Sequence, residues 1–133
     1  MTENGKLALA GRLAKLLDTL DIERAHFAGR QFSDWIGIAQ ARPNAVQSLT
    51  LVCPFGFDAA KAGDLADRLS VIHGDTGAGS VKLSTALDAL APAGRLALAG
   101  NAGQAWNDTA RENGDDTGAA LIDFAARMDA AAP

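Results

Sequence analysis

The sequence predicts an α/β protein, a three-layer fold in which helices cover both faces of a four-stranded parallel sheet. Two observations carry this. Between Ile22 and Pro54 an apolar run, an amphipathic helical pattern and a second apolar run follow one another over about thirty residues, the span of a βαβ unit. Strands joined through a helix in this way run parallel. The same alternation then repeats toward the C-terminus, and alternating strands and helices build a parallel sheet between helical layers. With 133 residues the chain supports a single domain, residues 1–133.

Each element has its own signal. Lys6 to Leu20 reads as a first helix with Leu13, Leu16, Leu17 and Leu20 on one stripe. Ala25 to Gly29 is the first strand. The next helix sets Phe32, Trp35, Ile36 and Ala39 at i, i+3, i+4 and i+7, one face of a 3.6-residue period. Leu49 to Cys53 is continuously apolar, as a strand buried on both faces should be. Asp58 to Asp67 suggests a short helix with a mostly polar surface, and Leu69 to His73 a third strand. Val81 to Leu90 follows as a helix with Leu83, Ala86, Leu87 and Leu90 inward, stopped before Pro92. The fourth strand lies within Gly94 to Gly100, and a polar loop occupies Asn101 to Asp116. Thr117 or Asp116 caps a last helix with the stripe Leu121, Phe124, Ala125 and Met128. Right-handed crossovers leave few arrangements. The expected one has spatial order following chain order, the first and last helices on one face and the middle helices opposite.

Composition narrows the function classes. Hydrophobic residues make up 48% and charged residues 21%, too apolar for a disordered chain. No apolar run reaches the roughly 20 residues of a membrane span, and the first residues lack a signal-peptide core, so a cytoplasmic location and no membrane partner are expected. The net charge of −4 is uneven: up to Gly56 six Lys/Arg face five Asp/Glu, and beyond it six face eleven. An acidic chain without a basic stripe argues against nucleic acid as a partner. With two Trp, five Phe and no Tyr it also lacks an aromatic stacking platform. Cys53 is the single cysteine, so no intrachain disulfide forms.

The stretch IERAHFAGRQFSDWIGIAQARPNAVQSLTLVCP resembles the nucleophile-elbow region of the α/β-hydrolase family, where a strand feeds a G-x-S-x-G turn and a buried helix. LAGRLAKLLDTLDIERAHFAG is similar to the helix before that strand. The resemblance covers nearly all of this chain and about the C-terminal half of a hydrolase domain. It implies that the four strands are the last four of the hydrolase sheet, with no counterpart of the earlier strands or of their part of the oxyanion hole. It also implies that the cap domain is absent, since only some fifteen residues follow Cys53 where it would insert.

In that register Gly29 matches the first glycine, Gln31 stands at the nucleophile and Ser33 at the second glycine. His73-Gly74-Asp75-Thr76 keeps the family's H-G-[DE] turn, but the acid position is Gly77. The histidine position, after Asn101-Ala102-Gly103, is Gln104. Each triad role passes to a residue that lacks its chemistry: a carboxamide is not an activatable nucleophile or a base, and glycine carries no orienting charge.

Other residues invite chemistry. Ser33 is the one candidate for a displaced nucleophile, against a plain reading as a small residue in the first helical turn. Cys53 reads as a core residue rather than a reactive thiol. His73 and Asp75 read as structural members of their turn, and His26 as a satisfied or exposed histidine in a strand. These residues show no metal-ligand spacing, so no metal and no cofactor are expected. The loop Gly74 to Ser80 has P-loop glycine spacing, but Ser80-Val81 replaces the Lys-[Ser/Thr] and Asp75 would repel phosphate.

Three function classes follow. The favoured one is a non-catalytic, hydrolase-like interaction or subunit module, a homo-oligomer or a chain docked to a partner that completes the sheet at the Ala25–Gly29 edge. The next is a small-ligand binding module using the crevice at the strand C-termini, where Gln31, Phe32, Thr76 and Gln104 would converge. The third is an esterase-like hydrolase using unassigned residues such as Ser33.

Overall fold

The computed structural model describes residues 3–55, 57–76, 80–101 and 114–131. Their order is α1 (Glu3–Thr19), β1 (Ala25–Gln31), α2 (Phe32–Ala41), a 3-10 turn (Pro43–Ala45), β2 (Val46–Phe55), α3 (Ala59–Ala62) running into a 3-10 segment (Gly63–Arg68), β3 (Leu69–Thr76), α4 (Ser80–Leu90), β4 (Gly94–Asn101) and α5 (Gly114–Ala131). The described strands form one parallel sheet in the order β1-β2-β3-β4. Fold class and strand order are those the sequence predicts.

Three successive right-handed crossovers, each stepping one strand in the same direction, place their connections on one face. There Ile36 and Ala39 of α2, Ala62 and Leu65 after β2, and Leu87 of α4 close over Val46, Leu49, Leu51, Leu69 and Val71. The opposite face belongs to α5, whose Ala120 and Leu121 pack on Val52, Cys53, Ile72 and Leu98. Alternation along β3 is visible in this split, with Leu69 and Val71 on one side and Ile72 on the other. In β2 the alternation is interrupted. Cys53 has a left-handed backbone with φ of 48°, the register slips between Gly29/Leu51 and Gln31/Phe55, and Val52 and Cys53 both turn toward α5.

Two glycines are required by close approach. A Cβ on Gly29 would fall inside the indole of Trp35, whose ring packs against Phe27 at 5.8 Å between centroids. A Cβ on Gly94 would lie 2.7 Å from Ser70 Oγ and 3.0 Å from Phe124, the buried aromatic of α5.

Several expectations are corrected. α1 packs against α2, so the first and last helices do not share a face; the polypeptide enters β1 directly from α1 and α2 is its nearest apolar partner. Only Leu17 of the α1 stripe is buried, while Leu16 and Leu20 are 51% and 57% exposed. A helix that leans on one other helix has a narrow contact line. The segment after Asp58 is one helical turn, capped by the Asp58 carboxylate on Ala60 N–H at 3.0 Å, and continues as 3-10 structure with Ala62 and Leu65 buried. α5 begins at Gly114, so neither Asp116 nor Thr117 is its cap; both lie in its first turn. Trp35 is half-buried, and the deepest residues of α2 are Ile36, Ile38 and Ala39.

Burial separates the effects of two aliphatic truncations. Ile38→Ala, at a 1% exposed position, is expected to cost about 2–5 kcal/mol in denaturant unfolding. Leu16→Ala is expected to stay within roughly 0.5 kcal/mol of the parent. Comparable losses at both sites would show that α1 is packed through Leu16 after all.

Candidate functional site

The residues expected to form a crevice divide unevenly. Gln31 closes β1 opposite Phe55, and Thr76 closes β3 opposite Asn101. Phe32 opens α2. In a parallel sheet these positions lie at one end, with β1 and β3 roughly 10 Å apart across β2. Gln104 and Gly77 lie outside the described residues. Ligand crevices in open α/β sheets form where strand order reverses, and the order β1-β2-β3-β4 has no reversal among the described strands.

β1 passes into α2 with no intervening loop, Gln31 being the last strand residue and Phe32 the first of the helix. This is the strand-to-helix succession that the apolar run and the helical period predict. Cys53 is 1% exposed and forms no disulfide; its thiol is held in the core under α5, which suits a packing role.

His73 is a more notable residue than the sequence suggests. It is 3% exposed, and its Nδ1 lies 2.8 Å from the Gly74 carbonyl. A carbonyl only accepts, so Nδ1 carries the proton in this bond. Nε2 is buried and has no hydrogen-bond partner among the described residues. His73 lines a cleft of about 320 Å³ between α4 and the β3–β4 end of the sheet, with Asp75, Ser84, Thr85 and Arg95. Arg95 is held in its wall by Asp88 at 2.6 Å and by Ser84 Oγ at 2.6 Å.

A second polar group was not legible in the sequence. His26 Nε2 lies 2.9 Å from Asp129 on α5, and His26 Nδ1 lies 2.7 Å from Ser48 Oγ on β2. The carboxylate only accepts, so Nε2 carries a proton; in the neutral ring Nδ1 then accepts from the Ser48 hydroxyl. Ser, His and Asp are thus linked in the order of a catalytic triad. The chemistry does not follow, because Ser48 is 2% exposed beneath α5 and no substrate carbonyl can reach it. Beside it Gln47 Nε2 donates to the Met128 carbonyl at 3.1 Å. Together these bonds fasten the end of α5 to β1 and β2. His26 and Ser48 are register partners, so a correct strand alignment could reveal that half. Asp129 is 103 residues from His26, and no sequence signal joins them.

Another cleft, about 520 Å³, lies between the end of α1 and the α2–β2 connection, lined by Asp18, Asp21, Ile22, Glu23 and Arg42 among others. Arg42 donates two bonds to the Asp18 carboxylate, both 2.8 Å. The hydrogen bonds from Arg42, more than its charge at a distance, hold the Asp18 carboxyl below its ordinary range, and Asp18 raises Arg42 in return. Among the described residues no group of three or more His, Cys, Asp or Glu is placed to hold a metal ion. No helix among them is long and apolar enough to cross a membrane.

No protein-family model, no curated protein and no solved structure matches the chain.

Two outcomes test these assignments. Ser48→Ala leaves His26 Nδ1 without its partner and is expected to cost about 1 kcal/mol of stability, read by urea unfolding; an unchanged midpoint would remove the fastening role. The Asp18 carboxyl is lowered in the folded chain, so its contribution is present above the ordinary carboxyl value of about 3.9 and is lost as pH falls through the lowered one. The stability gap between the parent and Asp18→Asn should therefore close on acidification. As the pair is exposed the gap is small, and a gap that widens toward acid would reverse the assignment.

Proposed function

We propose that this chain is a non-catalytic, α/β-hydrolase-like interaction module, completed at the free edge of β1 by another chain. The observation that carries this is the position of β1. It pairs with β2 on one side and with no other strand among the described residues. An open edge offers a row of unpaired N–H and C=O groups, and proteins ordinarily blunt such edges with proline, charge or bulges. Across β1 there is no proline and Arg30 is its one charged residue; between the register shifts at Ala25/His26 and Gly29/Gln31, His26 to Gly29 include no proline and no Lys, Arg, Asp or Glu.

The non-catalytic half of the reading rests on residue chemistry. Acyl transfer needs a nucleophile that can be deprotonated, a base beside it and donors for the oxyanion. In the hydrolase register Gln31, Gly77 and Gln104 supply none of the first two. A second reading, a small-ligand module, draws support from the partnerless Nε2 of His73 beside its 320 Å³ cleft. A thermal-shift screen with small acids, amides and lactones tests it, with His73→Phe as the control that should abolish any shift.

A fluorophosphonate probe together with activated esters tests the absence of catalysis. Neither labelling nor turnover is expected. Stoichiometric labelling of Ser33, with turnover lost in Ser33→Ala, would overturn the reading in favour of an esterase. The combined changes Gln31→Ser, Gly77→Asp and Gln104→His should leave activity low, because a triad also needs donors aimed at the oxyanion and these changes add none. For the edge, Ala28→Lys adds a charge at an exposed position of β1 and should abolish association; association that survives it would exclude the β1 edge.

A further inference from the structure

We infer that the chain completing this module is a second copy of itself, docked with the outward faces of the two α1 helices antiparallel about a two-fold axis. The inference rests on the interaction-module reading and names its partner and a second surface for it.

The first observation is where apolar surface is left open. Five large hydrophobic residues are strongly exposed among the described ones, and three of them, Leu16, Leu20 and Ile22, fall within one seven-residue stretch. Scattered exposed leucines mean little, but a cluster marks an interaction surface. Leu16 and Leu20 are one turn apart and, at 3.6 residues per turn, sit about 60–100° round the axis from the buried Leu17, on the exposed flank beside it. Thr19, on the same outward side, spends its hydroxyl on the Lys15 carbonyl at 2.9 Å, so its hydrogen-bonding capacity is directed back into its own helix.

The second observation is charge polarity, which selects the partner. Arg12 and Lys15 precede Leu16, while Asp21 and Glu23 follow Leu20. None of these four has an ion-pair partner among the described residues. A second α1 laid parallel would set like charges together. Laid antiparallel and centred on Leu16, it sets Arg12 of the second copy against Leu20 and Asp21, because both lie about 6–8 Å along the axis from Leu16. The 520 Å³ cleft opens there, with Asp21, Ile22 and Glu23 in its lining. Asp18 in the same lining already holds Arg42 by two bonds, which leaves Asp21 and Glu23 to receive an incoming guanidinium.

The third observation is that one operator serves both surfaces. Antiparallel pairing of β1 with its own copy requires a two-fold axis across that edge. α1 packs on α2 and α2 lies over β1 and β2, so α1 belongs to the β1 side of the molecule. An axis perpendicular to α1 as well as to β1 makes the two α1 helices antiparallel. The charged contacts of α1 lie at an exposed rim, so the association is salt-sensitive.

Sedimentation equilibrium of the full chain over a concentration series, at low and high salt, tests this. The parent should show a concentration-dependent dimer that weakens with salt. Leu16→Glu and Leu20→Glu, at exposed positions whose fold is checked by circular dichroism, should each weaken association at least tenfold. Arg12→Glu should weaken it too, and Arg12→Glu with Asp21→Arg should restore it, an effect that lost stability cannot mimic. A dimer indifferent to Leu16→Glu and Arg12→Glu but lost in Ala28→Lys would overturn the α1 surface and leave the β1 edge reading standing. Failure of the double swap to restore binding would overturn the antiparallel arrangement. A parent that stays monomeric at every concentration would overturn the self-association itself.

Discussion

A parallel strand connection is right-handed, and the strands here are laid down in sequence order; most of the molecule follows from these two constraints. Each crossover steps one strand in the same direction, so α2, α3 with its 3-10 continuation, and α4 all fall on one face. That face gathers the larger core, from Ile36 on α2 through Leu49, Leu51 and Val71 to Leu87 on α4. Among the described residues the other face is covered by α5, which arrives after β4, and β1 has a strand neighbour on one side.

How α5 meets that demand shows in its two ends. Near β4 the contact is apolar, with Leu121 and Ala120 against Ile72 and Leu98 and with Phe124 seated in the space that Gly94 leaves. Toward β1 and β2 the sheet presents Ser48 and Thr50, both buried. Hydroxyl-bearing surface gives little hydrophobic gain, so the helix is held there by directed bonds, Gln47 to the Met128 carbonyl and His26 between Ser48 and Asp129. Buried hydroxyls need partners, and the Ser48–His26 bond supplies one. A triad-like connectivity thus arises from the ordinary requirement of satisfying polar atoms under a helix.

The layers and the strand order were legible because they depend on local periodicity and on topology rules that act at every connection. The α2 pattern of Trp35, Ile36 and Ala39 and the apolar run at Leu49 to Cys53 both come through, since each reports burial directly. What failed depends on which neighbour an amphipathic face meets. The α1 leucines have a helical stripe, but only Leu17 has something to pack on, and no local signal tells Leu16 and Leu17 apart. The turn of β2 at Cys53, with its φ of 48°, was hidden because cysteine gives no warning of a left-handed backbone. The candidate site was legible only in part. Gln31, Phe32 and Thr76 share one end of the sheet, as parallel strands require, but the buried Nε2 of His73 depends on a bond to the next residue's own carbonyl, which no spacing encodes.

The misplaced leucines and the open strand are one consequence seen twice. A helix entering a sheet before its first strand has a layer to pack on only where that sheet continues beyond it. Among the described residues the sheet stops at β1, so α1 leans on α2, and Leu16 and Leu20 are left exposed. A strand of backbone groups and a ridge of leucines become available on the same side of the molecule for the same topological reason. Backbone pairing supplies direction and little selectivity, because any extended chain presents the same groups. Selectivity has to come from side chains, and the reversal of charge along α1, from Arg12 and Lys15 to Asp21 and Glu23, is the nearest feature able to reject a parallel or mismatched partner.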